Sequence, residues 1–597
     1  MFSKSEHNSS HQAWSSLADF AILCLLLILY SLSADFSLHL LQGQSLIAAL
    51  SQAFRNILSA QEGHLFNVVF RITFPASTFL YYLSRRFSWK RLGIPLLYIF
   101  SILNMAAFYL ANVVRYIFKT PLTADLLIYV LKNLPYLLGD ALPLLRETSP
   151  LPHLLLALFS SLTVLTLDKF EERVTPETRG KAKTPEKLIL FLICLLISLI
   201  TLREIKKGFL KINFSGASTR SEIPTRGIHH DYFRSRFGFN LPVNTNVVIF
   251  IMESAGQTHI DLEQSQFFRK ETSLHTTHFF LPVPHSTSTI YSLMTGLYSS
   301  PRTRPAFDDL KRDATLPGIL AKRGYTCHFL YSGPAHFESL HQMLTHMGFS
   351  IRDKEDMLKK KDPSTGREYK SFSWGVDDRA LKNECRMVTK FSASPFFLVV
   401  GFSNAHSPYF NPDPSLFHRY DNDISQGRHR NALEYGLSIA DSITADIIES
   451  HPDTLFLLIS DHGESFGEHG SYRHDFSLYN EEIRIPFALY HRKLSGQEPL
   501  HSGTVLDLLP TFLDILGIPQ VIPVQGQSLF DPAYHLDLHL SSWGNGQSKG
   551  IIQEDKKYLY EADSGKIWVM GLSDEDRRVL KRNFMTEMLL KSMMLLK

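Results

Sequence analysis

Apolar positions along the 597 residues fall into two regimes. In the first third they come in blocks, at residues 17–41, 64–84, 92–118, 152–167 and 188–202, most of which approach the roughly 20 apolar residues that cross a bilayer. These blocks predict five transmembrane helices. Residues 121–145, interrupted by Asp125, Lys132 and Asp140, suit an interfacial segment instead. From residue 245 the pattern changes to short buried runs, "NVVIFIM", "YTCHFLYS", "PFFLVVGFS", "TLFLLIS" and "IRIPFALYH", which read as strands. Between them "LPGILAKRGY", "DRALKNECRMVTKF" and "NALEYGLSIADSITADIIES" carry helical periodicity. Strands alternating with helices predict an α/β domain whose mostly parallel sheet is covered on both faces.

The pattern divides the chain into a transmembrane domain (1–205), a juxtamembrane linker (206–244), an α/β domain (245–532) and a C-terminal subdomain (533–597). In the last of these "KKYLYEADSGKIWVM" reads as a hairpin and the final 24 residues as an amphipathic helix. Basic loops after the second and fourth blocks place those loops in the cytoplasm, and an odd number of spans then puts everything after about residue 205 on the outer side of the cytoplasmic membrane. The basic stretch "REIKKGFLK" runs against that rule and is assigned to the anionic outer membrane surface. The first block also resembles a signal peptide ending near "SLSADFS", but its length and single Lys4 favour an uncleaved anchor.

Composition adds exclusions. A net charge of +3 is too small to indicate nucleic acid as a partner. Of four cysteines, Cys24 and Cys194 lie in predicted spans, so only Cys327 and Cys385 remain as a pair and no disulfide framework is implied.

Ligands in open parallel sheets bind beyond the carboxyl ends of the strands, so the residues just after each strand carry the candidate chemistry. Glu253 ends "NVVIFIMES", and Asp461 with His462 end "TLFLLISDHGE". Two carboxylates and an imidazole suit a divalent cation, Zn²⁺ or Mn²⁺. A fourth ligand comes from "PVPHSTSTIYSLMTGLYSS", whose hydroxyls Ser286 to Thr289 precede a helix expected to start at about Ser288. One hydroxyl serves as a helix cap, and a metal-held hydroxyl serves as a nucleophile. His406 in "GFSNAHSPYF" and His474 in "GEHGSYRHD" sit where substrate-binding or proton-transferring groups are needed.

The order "VVIFIMES", "STSTIYSLMTGLY", "FSNAHSPY", "ISDHGESFGEHG" and "TVLDLLPTFLDILGIP" resembles the alkaline phosphatase/sulfatase superfamily. With the membrane blocks it is similar in layout to the lipoteichoic acid synthase and phosphoethanolamine transferase branches. The resemblance implies an alkaline-phosphatase-like fold. Aligned on Thr295, Gly296 and Tyr298, it places Ser286 at the nucleophile position, with Thr287 as rival and Ser288 as cap. Ser288 and Ile290 replace the residues that direct formylglycine formation in sulfatases, which argues for an unmodified hydroxyl. The segment "YSGPAHFESLHQ" offers Tyr331, His336 and His341 without the Trp and Arg of the lipoteichoic acid synthases.

The resemblance implies a membrane-anchored phosphotransferase. It moves a phospholipid head group, phosphoglycerol or phosphoethanolamine, to an envelope glycan or lipid, with Glu253, Ser286, Asp461 and His462 on the metal and His406 and His474 on the substrate. A sulfatase or phosphodiesterase is the first alternative, and a catalytically silent lipid-binding or signalling relative is the second.

Overall fold

The computed structural model describes residues 231–299, 310–391, 395–519, 522–543, 548–553, 555–561, 566–572 and 579–580. The predicted spans, the interfacial segment, Cys24 and Cys194 lie outside the described residues, as does the predicted terminal helix except at Val579–Leu580, which form a strand paired with Trp568 and Val569 instead of a helical turn. Among the described residues no helix is long and apolar enough to cross a membrane.

Strands β1 (Val247–Met252), β2 (Leu274–Phe280), β3 (Thr326–Tyr331), β4 (Ser350–Arg352), β5 (Phe396–Gly401), β6 (Leu455–Ser460), β9 (Arg484–Tyr490) and β10 (Gly503–Thr504) form one sheet. Two further short strands, β7 (Ser465–Phe466) and β8 (Tyr472–Arg473), pair in the loop that follows β6. The sheet order is β10-β2-β9-β6-β1-β5-β3-β4. β1 runs parallel to both β5 and β6, and β3 runs parallel to both β5 and β4, whereas β9 is antiparallel to β6 and β2. The mostly parallel sheet is therefore present, with one reversed strand. β2 was not legible as a strand, because the polar "HTTH" in its centre interrupts the apolar run.

All six residues of β1, β5 and β6 are buried, as strands covered on both faces must be. Alternate side chains enter opposite cores. Val247, Ile249 and Ile251 join one cluster, while Val248, Phe250 and Met252 join the other. The first is closed by α1 (Ser286–Thr295) through Ile290, Leu293 and Met294. The second is closed by α2 (Arg379–Phe391) and α3 (Ser425–Ser450), through residues such as Leu381 and Leu433. Each fully buried side chain of this kind contributes about 1.5–3 kcal/mol.

A second, antiparallel sheet holds β11 (Asp537–Ser541), β12 (Ser548–Gln553), β13 (Lys556–Glu561), β14 (Lys566–Gly571) and β15 (Val579–Leu580) in chain order. The expected hairpin is its β13–β14 pair. This sheet docks on the loops at the carboxyl end of the first. The Ser541 amide donates to Pro282 O at 2.9 Å, and the buried Lys557 ammonium donates to Leu478 O at 3.0 Å and Asn480 Oδ1 at 2.9 Å. Cys327 and Cys385 are both buried free thiols, on β3 and α2, so they do not pair.

Candidate active site

β1 and β6 are neighbours in parallel register, with Met252 opposite Ser460, so the residues that follow them leave the sheet side by side. Those residues are Glu253 and Asp461. The Ser254 amide donates to Asp461 Oδ1 at 3.0 Å and the Ala255 amide to Ser460 Oγ at 2.9 Å, locking the two strand ends together. Ser254 adopts a left-handed φ of 55°, which turns the chain immediately after Glu253.

His462 follows Asp461, fully buried. Its Nδ1–H donates to Gly463 O at 3.0 Å, a tautomer assigned from this bond, and Nε2 is then the acceptor nitrogen. Nε2 lies 3.6 Å from Glu253 Oε1, 3.5 Å from Asp461 Oδ2 and 3.1 Å from Ser286 Oγ. The donor atoms of Glu253, Asp461 and His462 all lie within 4.8 Å of one another. Burial, followed by the Asp461 charge, raises the Glu253 carboxyl well above its usual range. Burial lowers His462 to about 4, so its imidazole is neutral at pH 7. Two buried carboxylates facing one neutral imidazole fit a divalent cation, because a +2 charge would offset both the burial and the Asp461 repulsion that raise Glu253.

Ser286 is the first residue of α1, so the helix begins two residues earlier than the sequence suggests. Ser288 is not its cap. The N-cap is His285, which makes no side-chain capping bond, and Ser288 Oγ instead accepts from Ser299 Oγ at 3.0 Å. The Thr289 hydroxyl donates to Asp461 O at 2.6 Å and so ties the helix to the end of β6. Thr287 is turned the other way, donating to Glu338 Oε2 at 2.9 Å. The Thr-Gly-x-Tyr ending is structural. Gly296 terminates α1 at φ 65°, and Tyr298 OH accepts from the His539 amide at 3.0 Å in the second sheet.

Residues 245–518 match the Sulfatase family profile. That segment is similar to a sulfatase-family domain. The phosphatidylethanolamine transferase Mcr-1 of Escherichia coli is 25% identical over 240 residues, 32% of this chain and 44% of that protein. An endo-4-O-sulfatase of Bacteroides thetaiotaomicron is 28% identical over 183 residues, 26% of this chain and 35% of that protein. The matched segments therefore span less than half the length of these curated relatives. Among solved structures, the lipoteichoic acid synthase LtaP of Listeria monocytogenes gives a TM-score of 0.45 at 15% identity, covering 60% of this chain and 91% of that one. A Vibrio parahaemolyticus protein of the alkaline phosphatase superfamily gives 0.48 at 20% identity, covering 64% and 89%. Transferases and sulfatases thus both stand among the proteins this segment is similar to.

The domain also brings His406 and His474 to the cluster. The His474 ring stacks on His462 at 3.9 Å between centroids, and His406 lies 6.3 Å from His474. Their environments differ in sign. Burial opposes a charge on His474, but Asp475 and Glu464 outweigh it and raise its pKa well above the usual value, with Nδ1–H donating to Glu464 Oε2 at 2.7 Å. His406 is lowered to about 3 by burial, donates Nδ1–H to Ser407 O at 3.0 Å and stacks flat on Trp374 at 3.9 Å.

Sequence reasoning missed Glu464, Asp475, Glu338, Trp374 and Trp543. Glu464 and Asp475 adjoin "DHG" and "RH" in the chain, so adjacency to known candidates was an available signal. Of the segment around Tyr331, the side chain that reaches the first turn of α1 is Glu338. His336 and His341 stack on each other at 4.7 Å, and His336 groups with Asp353 and Glu355, two of these three being exposed.

Proposed function

We propose that the protein is a membrane-anchored, metal-dependent phosphotransferase that moves a phospholipid head group onto an envelope glycan or lipid through a phospho-Ser286 intermediate. Its localisation in this reading is the cytoplasmic membrane with the catalytic domain outside. The observation that carries it is the bare hydroxyl of Ser286, 3.1 Å from His462 Nε2 and facing the Glu253–Asp461 pair. A divalent cation held by Glu253, Asp461, His462 and Ser286 would lower the hydroxyl's pKa and offset charge on the phosphoryl oxygens.

This chain's own residues supply the remaining parts. Ser286, its proton already lost to solvent, attacks phosphorus from the first turn of α1, whose N-terminus favours an anion. The new O–P bond forms as the bond to the diacylglycerol oxygen breaks. His474 is the proton donor to that leaving oxygen: Nδ1–H is held by Glu464, whereas Nε2 is 3.9 Å from Asp475 Oδ2, beyond hydrogen-bond length. His406, neutral and 6.3 Å from His474, is assigned the proton of the acceptor hydroxyl in the second step. Two groups whose surroundings push their pKa values apart make an acid and base pair.

Intact-mass analysis of the purified chain after incubation with phosphatidylglycerol and phosphatidylethanolamine tests this. A phosphoglycerol or phosphoethanolamine adduct on Ser286, with diacylglycerol released, is expected. Sulfate release from aryl sulfates without diacylglycerol would instead establish the second reading, a sulfatase, which the endo-4-O-sulfatase relative favours.

A further inference from the structure

One buried group beside Ser286 has no part in the chemistry above. His285, 6% exposed, donates Nε2–H to Glu338 Oε2 at 2.6 Å and Nδ1–H to Asp475 Oδ1 at 2.9 Å. Both ring nitrogens are thus engaged by carboxylates, which leaves neither turned toward the Glu253–Asp461 pair as a ligand. Its ring lies against Trp543 at 4.5 Å, with an interplanar angle of 31°.

The two carboxylates are placed at some cost in backbone conformation. Glu338 has φ 51° and Asp475 φ 86°, in the left-handed region that non-glycine residues rarely adopt. Glu338 Oε2 also accepts the Thr287 hydroxyl at 2.9 Å. A single carboxylate oxygen therefore holds the residues on either side of Ser286. Asp475 is fixed in turn from the second sheet, since its carbonyl accepts the Trp543 amide at 2.8 Å. Trp543 thus touches the clamp twice, through its ring on His285 and its backbone on Asp475. It lies beyond β11, outside the 245–518 segment that matches the family.

We propose that His285 is a positioning residue, clamped by Glu338 and Asp475 and covered by Trp543, which holds the Ser286 hydroxyl against His462. The second sheet is then part of the catalytic apparatus, because docking it completes the clamp. The inference rests on the reading of Ser286 as nucleophile, and it applies to a phosphotransferase and a hydrolase alike.

The test uses the full metal-loaded chain in detergent and the variants His285→Ala, Glu338→Gln and Trp543→Ala, with turnover of bis(p-nitrophenyl) phosphate, metal content and crystal structures as readouts. For His285→Ala, kcat should fall about 100-fold, the size expected of an ångström-scale misplacement. KM and metal content should change little, and the Ser286 hydroxyl should leave hydrogen-bond distance of His462 Nε2. Added imidazole should restore kcat by filling the space left under Trp543. Glu338→Gln preserves shape and should lower kcat in the same direction, which keeps the test intact if His285→Ala does not fold. Trp543→Ala should produce a smaller fall in kcat. Unchanged kcat with only a lowered Tm, or a variant structure in which Ser286 still contacts His462, overturns the clamp. A wild-type chain that turns over no ester overturns the proposed function alone, and the variant structures still decide the clamp.

Discussion

Ser286 and Thr287 are adjacent on the first turn of α1, and successive residues of a helix point about 100° apart. Both hydroxyls therefore cannot address His462. Thr287 is committed to Glu338, while Ser286 approaches His462 Nε2. Ser286→Ala should abolish the phospho-enzyme adduct and lower turnover by roughly 10³-fold or more, as loss of a nucleophile does. Thr287→Val, which removes one hydrogen bond to Glu338, should retain the adduct and lose about 1 kcal/mol of stability. Intact mass and thermal denaturation read the two effects separately, and an adduct surviving in Ser286→Ala but lost in Thr287→Val would move the nucleophile by one residue. The hydroxyl cluster was legible in the sequence because four hydroxyls exceed the needs of a cap. The direction of each was not, since it depends on Glu338, whose carboxylate arrives from a distant turn.

At the scale of elements, the strand-end rule made Glu253, Asp461 and His462 legible although more than 200 residues separate the first from the other two. Each follows a wholly apolar strand, and parallel neighbours with matched register bring their exits together. The loop after β6 was less legible, because β9 returns antiparallel and the intervening residues fold back over the same sheet edge. That return requires close approach. The Gly463 amide donates to Glu482 O at 2.9 Å, and a Cβ at Gly463 would run into the Glu481 carbonyl oxygen, a backbone atom that cannot swing aside. The glycine of "DHG" is therefore a packing requirement behind Asp461 and His462. Gly463→Ala should push His462 out of line, lower the Tm by the equivalent of about 1–3 kcal/mol and reduce bound metal by an order of magnitude or so. Calorimetry with elemental analysis checks both, and full metal content at unchanged Tm would show that the loop yields freely.

For the whole molecule, the proposed metal dependence predicts that folding depends on the cation and on pH together. Without the cation, the Glu253 carboxyl lies well above its unfolded value of about 4.3, so the folded state binds the extra proton. The sign follows from linkage. The stability supplied by protonated Glu253 is complete below the unfolded pKa and is lost as pH rises through the raised folded pKa. A bound cation replaces that proton and removes the loss. His462, lowered to about 4, competes with the cation only in acid. The Tm of the metal-free protein should thus fall further behind that of the metal-loaded protein as pH rises from about 5.5 to 8. Taking the difference cancels groups far from the site, and at a free cation concentration 100 times Kd the loaded form should gain about 2.7 kcal/mol. Glu253→Gln should flatten the pH dependence of the difference, because the amide neither takes up the proton nor carries the charge. Thermal scans with and without chelator across that pH range measure it, and a gap independent of pH in the wild type would remove Glu253 from the ligand set.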